Sequence, residues 1–425
     1  MRLSLALAIY RLVLPLLFVA AFPGWVVKML RRGGFGTRLR ERAAVFTAPL
    51  EYEPCGAVHF HAVSVGESLL ALKLIREWHA SEPDRRFVLA TGTATGHAVA
   101  TAAEIPGLRV TYSPLDFPSM VRRYLNRFEP AQIVLLEGEV WPHLLLECEQ
   151  RGIPVRLVNA RMSPRSARRF SKFAAWLRPI YQLLDAVAIQ EPEDAAIWET
   201  LGISRGKIHL TGSLKFDPGS SNARPRRRDE FSRILGAFGP RRPVILAAST
   251  HAREDAFIAR AIREADANAL AVIVPRHAER RGEVRLDLEC AGFSVVQRSI
   301  FSPSQIPVDA CLVVDTTGEL CDWTAHADAV IIGKSFLSTG GQNPCEAILA
   351  DKPVIFGPHM ENFQPLANRL VATEGAICAS DFQALVQAIR RALDPGLARE
   401  LTRRASLTLT RHDGATRRIL ELLGA

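Results

Sequence analysis

Closely spaced cysteines are missing from this chain of 425 residues. Its cysteines are odd in number and scattered, without the spacing of metal ligands: Cys55, Cys148, Cys290, Cys311, Cys321, Cys345 and Cys378. This pattern disfavours both a disulfide framework and a zinc site. We therefore expect a protein of a reducing compartment that works without a metal or another cofactor.

Acidic residues are almost absent from the first 42 positions. Eight basic residues stand there against Glu41 alone, so the segment carries +7 of the formal net charge of +9. The rest of the chain is nearly neutral, at +2. A nucleic-acid-binding protein spreads basic residues over a folded face. The distribution therefore disfavours a nucleic-acid partner and points to a special role for the N-terminus.

The N-terminal residues 1–32 are mostly apolar and end in a basic cluster. The run "LALAIYRLVLPLLFVAAFPGWVVKMLRR" has transmembrane length, although Arg11, Pro15 and Pro23 interrupt it. A signal peptide is disfavoured, because the run is long, no clear small-residue cleavage site follows it, and arginines come next. We predict a membrane anchor, with the following domains in the cytoplasm by the positive-inside rule. A buried hairpin of helices is the alternative, and the cost of Arg11 at a bilayer centre leaves open whether the anchor spans the membrane or lies at its surface.

Beyond the anchor, short β-rich runs alternate with amphipathic stretches, the pattern of βαβ units and a parallel sheet. One series precedes "FDPGSSNARPRRRDEF" and a second begins with "RPVILAAST". The first of these segments is rich in Pro, Gly, Ser and Arg, as linkers are. We predict an α/β protein with two Rossmann-like domains, 33–217 and 241–425, joined by a linker at 218–240. Domains of this kind facing a cleft would gather the ends of both strand series around a shared ligand, and the last helix is free to pack back on the first domain.

The stretch "HAVSVGES" raises two interpretations of one acid. Ser64 and Glu67 have the spacing of a capping box, in which the serine caps a helix and the glutamate reaches back to the cap. The same stretch links a predicted strand to a predicted helix. Ligands of open α/β sheets bind outside the carboxyl ends of the strands, so Glu67 is equally a candidate working carboxylate.

Other charged residues also follow predicted strands. Glu137 and Glu139 in "LLEGEVWP" are either partners of a helix dipole or site residues. Lys215 and Arg276 end strand-like runs, where surface exposure is the ordinary explanation. The stretch "GGQNPCE", residues 340–346, builds a helix start with two glycines, a capping asparagine and a proline, which favours an anion site.

Eight runs together resemble one known family, the bacterial 3-deoxy-D-manno-octulosonic acid (Kdo) transferases of lipid A synthesis. The runs follow one another in family order up to about residue 365: "HAVSVGE", "LLEGEVWP", "LVNARMSPRSARRF", "TGSLKFD", "STH", "VPRHAER", "DTTGEL" and "GGQNPCE" through "GPHMENF". The resemblance implies the glycosyltransferase-B architecture. It also implies metal-independent, inverting transfer of Kdo from CMP-Kdo to a lipid A precursor (lipid IVA) at the cytoplasmic face of the inner membrane.

The family's residue roles carry over at matching positions. The resemblance makes Glu67 the proton acceptor and makes Glu137 and Lys215 stabilisers of the transition state. It assigns the binding of CMP to a larger set: Pro275, Arg276, Thr317, Gly318, Glu319, Asn343, Pro344, Cys345 and Glu346. The basic run Arg161, Arg165, Arg168 and Arg169 is a candidate for the acceptor's phosphates.

Several positions depart from the family pattern, namely Gly138, Val140, His143, Thr317, Gln342 and Cys345. They leave the matched acids, Lys215 and Arg276 intact and bear on acceptor fit and donor affinity. Two other functions are compatible with the sequence. One is a nucleotide-sugar transferase of the same fold that acts on a different membrane lipid, and the other is a membrane-tethered scaffold without catalysis.

Overall fold

A computed structural model of the chain describes residues 3–31, 39–46, 56–217, 225–239, 242–303, 306–307 and 309–425. The chain forms two compact units. The first consists of Met1–Gly219 with His412–Ala425, and the second of Ser220–Arg411. Each unit contains a seven-stranded sheet whose strands pair in parallel.

The sheet of the first unit has the strand order β3-β2-β1-β4-β5-β6-β7. Its strands are β1 Val58–Ala62, β2 Phe87–Thr91, β3 Leu108–Tyr112, β4 Gln132–Leu136, β5 Val155–Ala160, β6 Ala186–Ile189 and β7 Ile208–Leu210. Strands β1, β2 and β4 are buried throughout, as expected for a parallel sheet covered on both faces. The strand order reverses between β1 and β4, so the ligand-binding switch point of such a sheet lies there.

Nine helices belong to the described part of the first unit. They are α1 Leu3–Arg31, α2 Val65–Ser81, α3 Ala94–Thr101, α4 Pro118–Phe128, α5 Pro142–Arg151, α6 Pro164–Lys172, α7 Ala174–Tyr181, α8 Ala195–Thr200 and, at the other end of the chain, α17 Ala415–Leu423. Apolar side chains fill a core on each face of the sheet. Helix α17 contributes Ile419, Leu420 and Leu423 to the core that α2 covers.

The sheet of the second unit has the strand order β10-β11-β9-β8-β12-β13-β14. Its strands are β8 Val244–Thr250, β9 Leu270–Pro275, β10 Ser294–Gln297, β11 Ala310–Val313, β12 Ala329–Ile332, β13 Val354–Phe356 and β14 Ile377–Cys378. Its helices are α9 Asp229–Ala237, α10 Glu254–Ala265, α11 Arg281–Cys290, α12 Leu320–Thr324, α13 Cys345–Leu349, α14 Gln364–Ala372, α15 Phe382–Leu393 and α16 Pro395–Thr410. The switch point of this sheet lies between β8 and β12.

The prediction of an α/β protein with two parallel-sheet domains is confirmed. Within the segment expected to be a linker, residues 218–224 lie outside the described residues, whereas 229–237 form α9 with Phe231 and Ile234 buried. The apolar N-terminus is a single long helix in which Pro15 and Pro23 are accommodated. In the described residues it contains one stretch, Leu3–Gly24, that is long and apolar enough to cross a membrane by length and composition.

Candidate active site

Glu67 lies in the first turn of α2, just beyond the carboxyl end of β1. Ser64 is the N-cap residue, and its Oγ accepts a hydrogen bond from Glu67 N at 3.2 Å. The Glu67 carboxylate accepts two hydrogen bonds, from Ser64 Oγ to Oε1 at 2.9 Å and from Val63 N to Oε2 at 2.7 Å. In a standard capping box the glutamate would bind the amide of the cap residue itself. Here it binds the preceding amide, so both carboxylate oxygens are held while the side chain is 8 % exposed.

Glu137 follows β4, the strand next to β1, and its backbone is strained. Its φ of 57° lies in the left-handed region, which costs a non-glycine residue of the order of 1–3 kcal/mol. Two backbone hydrogen bonds to β5 and the residue after it hold this conformation. They run from Glu137 N to Val158 O and from Arg161 N to Glu137 O, both at 3.1 Å. Strain of this kind concentrates at functional sites, where surrounding contacts enforce it.

Three carboxylates, Glu67, Glu137 and Glu139, form what we call the acid cluster. Burial raises the pKa of Glu137, and the negative charge of Glu67 raises it further, whereas Arg161 and Lys215 oppose the shift. Burial likewise raises the pKa of Glu139, to which Glu67 and Glu137 add. These mutual effects show that the structure brings the three predicted acids together with Lys215 at the switch point of the first sheet.

Lys215 lies in the turn formed by residues 211–217, which other parts of the unit hold in place. Leu214 N donates to Asn159 Oδ1 at 2.9 Å, and Lys73 Nζ donates to Leu214 O at 3.0 Å and to Asp217 O at 2.6 Å. Asn159 is the last residue but one of β5, is buried, and has a left-handed φ of 53°. The sequence analysis missed Asn159 as a positioning residue. Its signal was available, because a polar residue stands near the end of the apolar run "PVRLVNA", much as Glu137 ends "AQIVLLE".

In the second unit, Arg276 and Glu346 approach each other. Arg276 follows β9, and its amide donates to Thr250 O at 3.0 Å while its side chain is exposed. Burial raises the pKa of Glu346, whereas the positive charge of Arg276 lowers it. The Glu346 Oε2 atom is buried without a hydrogen-bond partner among the described residues. The pair therefore combines an exposed cation with an unsatisfied acceptor.

The helix that begins near Asn343 is short. Helix α13 has five residues, with Pro344 at its N-cap position and Cys345 as its first residue. Asn343 lies one position before the N-cap, so it is not the cap residue that the sequence predicted and Pro344 is not the first helical residue; Asn343 Oδ1 nevertheless accepts a hydrogen bond from Cys345 N at 3.0 Å. Gly341, which precedes this cap, adopts a φ of 68° and packs against Met360 so closely that no Cβ would fit.

The segment Thr317–Glu319 precedes α12, which packs against α13. Thr317 and Gly318 are exposed, and Gly318 has a φ of 84°. The Glu319 carboxylate is held within its own unit, where it accepts from Thr316 Oγ1 at 2.6 Å and from Trp323 Nε1 at 3.2 Å. The three segments assigned to CMP by resemblance, around residues 276, 318 and 345, thus gather at one edge of the second sheet, and Pro275 is the buried end of β9.

Glu254, at the start of α10, is a further residue that the sequence analysis did not single out. Its carboxylate is fully buried and accepts hydrogen bonds from four amides of the loop after β12: Lys334 N at 2.6 Å, Ser335 N at 3.1 Å, Phe336 N at 3.1 Å and Leu337 N at 3.5 Å. A fifth comes from His251 N at 3.1 Å. The acid therefore fixes the loop that leads from the switch point to the two glycines before Asn343.

Possible metal ligands are dispersed over the described parts of the chain. Among these residues, no group of three or more His, Cys, Asp or Glu side chains is placed to hold a metal ion.

Solved structures similar to this chain define its class. A glycosyltransferase from Rickettsia africae is 12% identical with a TM-score of 0.55, covering 86% of this chain and 97% of that one. A UDP-N-acetylglucosamine 2-epimerase is 14% identical with a TM-score of 0.56, covering 87% of this chain and 95% of that one. At these identities the likeness establishes the fold, which is the glycosyltransferase-B fold.

Sequence comparison then gives the family. The family model for 3-deoxy-D-manno-octulosonic-acid transferase (kdotransferase) matches residues 37–218. The 3-deoxy-D-manno-octulosonic acid transferases of Bordetella pertussis and Haemophilus influenzae are 36% and 32% identical, covering 94% and 91% of this chain and 94% and 90% of their own lengths. The chain belongs to the Kdo transferase family, glycosyltransferases of lipopolysaccharide synthesis. The resemblance seen in the sequence motifs is confirmed.

Proposed function

We propose that this chain transfers Kdo from CMP-Kdo to a lipid A precursor, lipid IVA, by an inverting and metal-independent reaction in which Glu67 is the general base. Family membership supports the transfer of Kdo. The acid cluster is the observation that carries the mechanism, since Glu67 and Glu137 interact at the switch point of the first sheet. Ligands of open α/β sheets bind at this place.

Glu67 suits the role of base because its carboxylate is oriented in advance. Val63 N and Ser64 Oγ each occupy one lone pair of the carboxylate, and each oxygen keeps another for a hydroxyl proton. In the reaction, the acceptor hydroxyl oxygen bonds to the anomeric carbon of Kdo and Glu67 takes its proton. The bond from that carbon to the CMP phosphate breaks, and CMP departs with the electron pair. Attack opposite to the leaving group inverts the anomeric configuration.

Glu137 and Lys215 have complementary roles in the transition state. Positive charge develops on the sugar ring as the bond to CMP breaks, and a carboxylate nearby stabilises it. The positive charge of Lys215 balances the negative charge of the Kdo carboxylate or of the departing phosphate. Because Lys215 opposes the burial that raises the pKa of Glu137, it also helps to keep that acid ionised.

The second unit supplies the donor site in this proposal. Arg276 is exposed beside Glu346 and binds the CMP phosphate by charge-assisted hydrogen bonds. The unsatisfied Oε2 of Glu346 accepts from a ribose hydroxyl. Backbone groups at Thr317, Gly318 and Glu319 and the turn of Asn343, Pro344 and Cys345 complete the contacts, because the Glu319 side chain is already occupied.

The membrane provides the acceptor. We place the enzyme at the cytoplasmic face of the inner membrane, attached through α1, which is apolar over Leu3–Gly24. The basic positions Arg32 and Arg38, which belong to the N-terminal cluster, lie outside the described residues.

Release of CMP from CMP-Kdo in the presence of lipid IVA tests the function directly. We expect turnover that needs both substrates and continues in EDTA. Turnover with a uridine-diphosphate sugar and none with CMP-Kdo would show that CMP-Kdo is not the donor. Strong inhibition by EDTA that a divalent ion reverses would contradict metal independence.

A further inference from the structure

One face of α1 packs along the first unit. The packed positions recur with the helical period: Leu3, Ala6, Leu7, Tyr10, Leu14 and Phe18. Ala6 and Leu7 are buried, and the Phe18 ring meets the ring of Phe117 edge-on at 5.8 Å. The helix packs against α5 and α7. At 1.5 Å per residue, residues 3–18 place about 24 Å of the helix against the folded unit.

Polar contacts in the middle of this face fix the helix to the unit. Tyr10 OH donates to Asp116 Oδ2 at 3.0 Å, and Asp116 is buried where the amides of His143 and Leu144 also donate to it, each at 3.0 Å. Arg11 Nε donates to His143 Nε2 at 3.4 Å. A buried carboxylate that loses a donor is costly. These contacts therefore hold Tyr10 and Arg11, two polar residues within the apolar stretch, on the folded unit.

The opposite face of α1 exposes a continuous apolar stripe. Its members are Leu5, Ile9, Leu12, Val13, Leu16, Leu17 and Val19, of which Leu12 is 72% exposed. An exposed apolar surface of this extent calls for a partner. The neighbouring elements indicate a lipid surface, since Phe173 and Trp176, at the start of α7, are 55% and 44% exposed. The preceding helix, α6, exposes four basic side chains, Arg165, Arg168, Arg169 and Lys172. Aromatic and basic residues together suit the interface of an anionic membrane.

The packing of α1 on the folded unit argues against a transmembrane arrangement. One face of residues 3–18 contacts the unit, so only residues 19–31 remain to cross a bilayer. These 13 residues reach about 20 Å as a helix, whereas the hydrocarbon core is about 30 Å thick. We propose that α1 lies in the plane of an anionic membrane surface, with both ends on the side of the catalytic units, and does not cross the bilayer. The inference builds on the membrane attachment proposed above.

This arrangement connects the membrane to the acid cluster. Helix α5, against which α1 packs, begins at Pro142, five residues after Glu137. The carboxylate that accepts from Tyr10 also accepts from the first turn of α5. Docking of α1 therefore holds α5, the helix that follows Glu137, at the lipid surface from which the acceptor comes.

A sidedness experiment on the full chain tests the proposal. A short Gly-Ser-Cys extension is placed ahead of Met1 in a background in which Cys55, Cys290 and Cys378 are replaced by serine. A membrane-impermeant maleimide is added to intact spheroplasts and to inverted vesicles. The parent chain, whose Cys290 and Cys378 are exposed, marks the side of the second unit.

We expect the extension to react in the same preparation as Cys290 and Cys378. Reaction of the extension in spheroplasts, with the two native cysteines reacting only in inverted vesicles, would show that α1 spans the membrane and would overturn the proposal. If all three reacted in spheroplasts, the in-plane arrangement would hold and the cytoplasmic location would be wrong. The labelling does not require turnover, so a failure of the proposed reaction is separately visible.

A second measurement tests the stripe as the lipid contact. Leu12→Glu with Leu16→Glu should lower recovery with floating vesicles of phosphatidylglycerol and phosphatidylcholine at least about tenfold, because two exposed leucines become charged. Ser4→Glu, an exposed polar position on the same helix, is the matched control and should change recovery less than about twofold. Unchanged binding by a folded double variant would show that the stripe does not contact lipid.

Discussion

Each of the two units contains its own parallel sheet with a switch point, yet the charged groups that lie at the two switch points differ. In the first unit, three carboxylates interact after β1 and β4. In the second, Glu254 is occupied by backbone amides, and the groups left over are the exposed Arg276, the Glu346 carboxylate with its unsatisfied Oε2 and the loop around the two glycines. The charged groups at the first switch point are therefore mostly carboxylates, whereas the buried Glu254 of the second unit fixes a loop through its backbone amides.

The backbone has the same feature at both switch points. Non-glycine residues with left-handed φ lie at or just beyond the carboxyl-terminal ends of the central strands, at Glu137 and Asn159 in the first unit and at Ser249 and Lys334 in the second. The fold thus supplies strained strand ends in both units, and the side chains on the loops decide what each end does.

Replacing Glu137 by glutamine should give the largest loss that distinguishes the two units. The variant keeps the shape of the side chain and loses the charge that stabilises the transition state, so kcat should fall by about 100-fold to 1,000-fold. Glu139→Gln is the matched control from the same cluster and should keep turnover within about fivefold. Equal losses in the two variants, measured as CMP release, would mean that the cluster acts through its total charge.

Arg276→Ala should affect donor binding in the second unit. Loss of a charge-assisted hydrogen bond costs about 1.5–3 kcal/mol, or roughly 10-fold to 150-fold in the Kd for CMP. The control is Arg281→Ala, an exposed arginine at the start of α11, which should leave the Kd unchanged. Calorimetry that finds the same CMP affinity in Arg276→Ala would remove this residue from the donor site.

Lys215→Met should shift the pH dependence of the reaction. Lys215 lowers the pKa of Glu137 against the effect of burial, so its removal raises that pKa further. In the proposed mechanism the ionised form of Glu137 is the active one, so activity should then be lost at a higher pH when the solution is acidified. The measurement is the acid limb of log kcat against pH. A limb that stays in place, or moves to lower pH, would show that Lys215 does not act on Glu137.

Glu254→Gln should have the smallest effect on turnover and a clear effect on stability. The amide side chain has one acceptor oxygen for the five backbone donors that bind the carboxylate. We expect a loss of about 1.5–3 kcal/mol in the free energy of unfolding, measured by denaturant titration, and a weaker CMP affinity. Full stability together with lost turnover would show that Glu254 takes part in the reaction, and would contradict the view that this acid only holds a loop in the second unit.

The sequence alone was sufficient to predict two parallel sheets, apart from the short edge strands β7 and β14. Buried parallel strands are apolar runs, so "AQIVLLE" and "RPVILAAST" were recognisable, and the acid directly after the first run made Glu137 a candidate. The motif resemblance was needed to choose Glu67, Glu137, Lys215 and Arg276 as site residues, since capping acids, helix-dipole partners and single basic residues after strands are common.

Other features depend on partners that are far apart in the chain. Asn159 acts on Leu214, Glu254 on the loop at residues 334–336, and Tyr10 on Asp116, and no local pattern encodes these pairs. The capping geometry of Glu67 differs in a subtler way, because its spacing predicts a contact with the Ser64 amide and the fold gives it the Val63 amide. Tertiary packing decides such choices, so they became visible only in the structure.

The most direct test of the account is to measure turnover and CMP affinity in the same Glu67→Gln variant. The amide keeps much of the hydrogen bonding that closes the first turn of α2, so the variant should fold with near-normal stability and bind CMP with unchanged affinity. Its turnover should fall by roughly 100-fold or more, because an amide cannot accept the proton. Ser64→Ala, which loses the cap and about 1 kcal/mol of stability, should keep its chemistry. A folded Glu67→Gln variant with more than about a third of normal turnover would contradict the account and leave Glu67 as a helix cap.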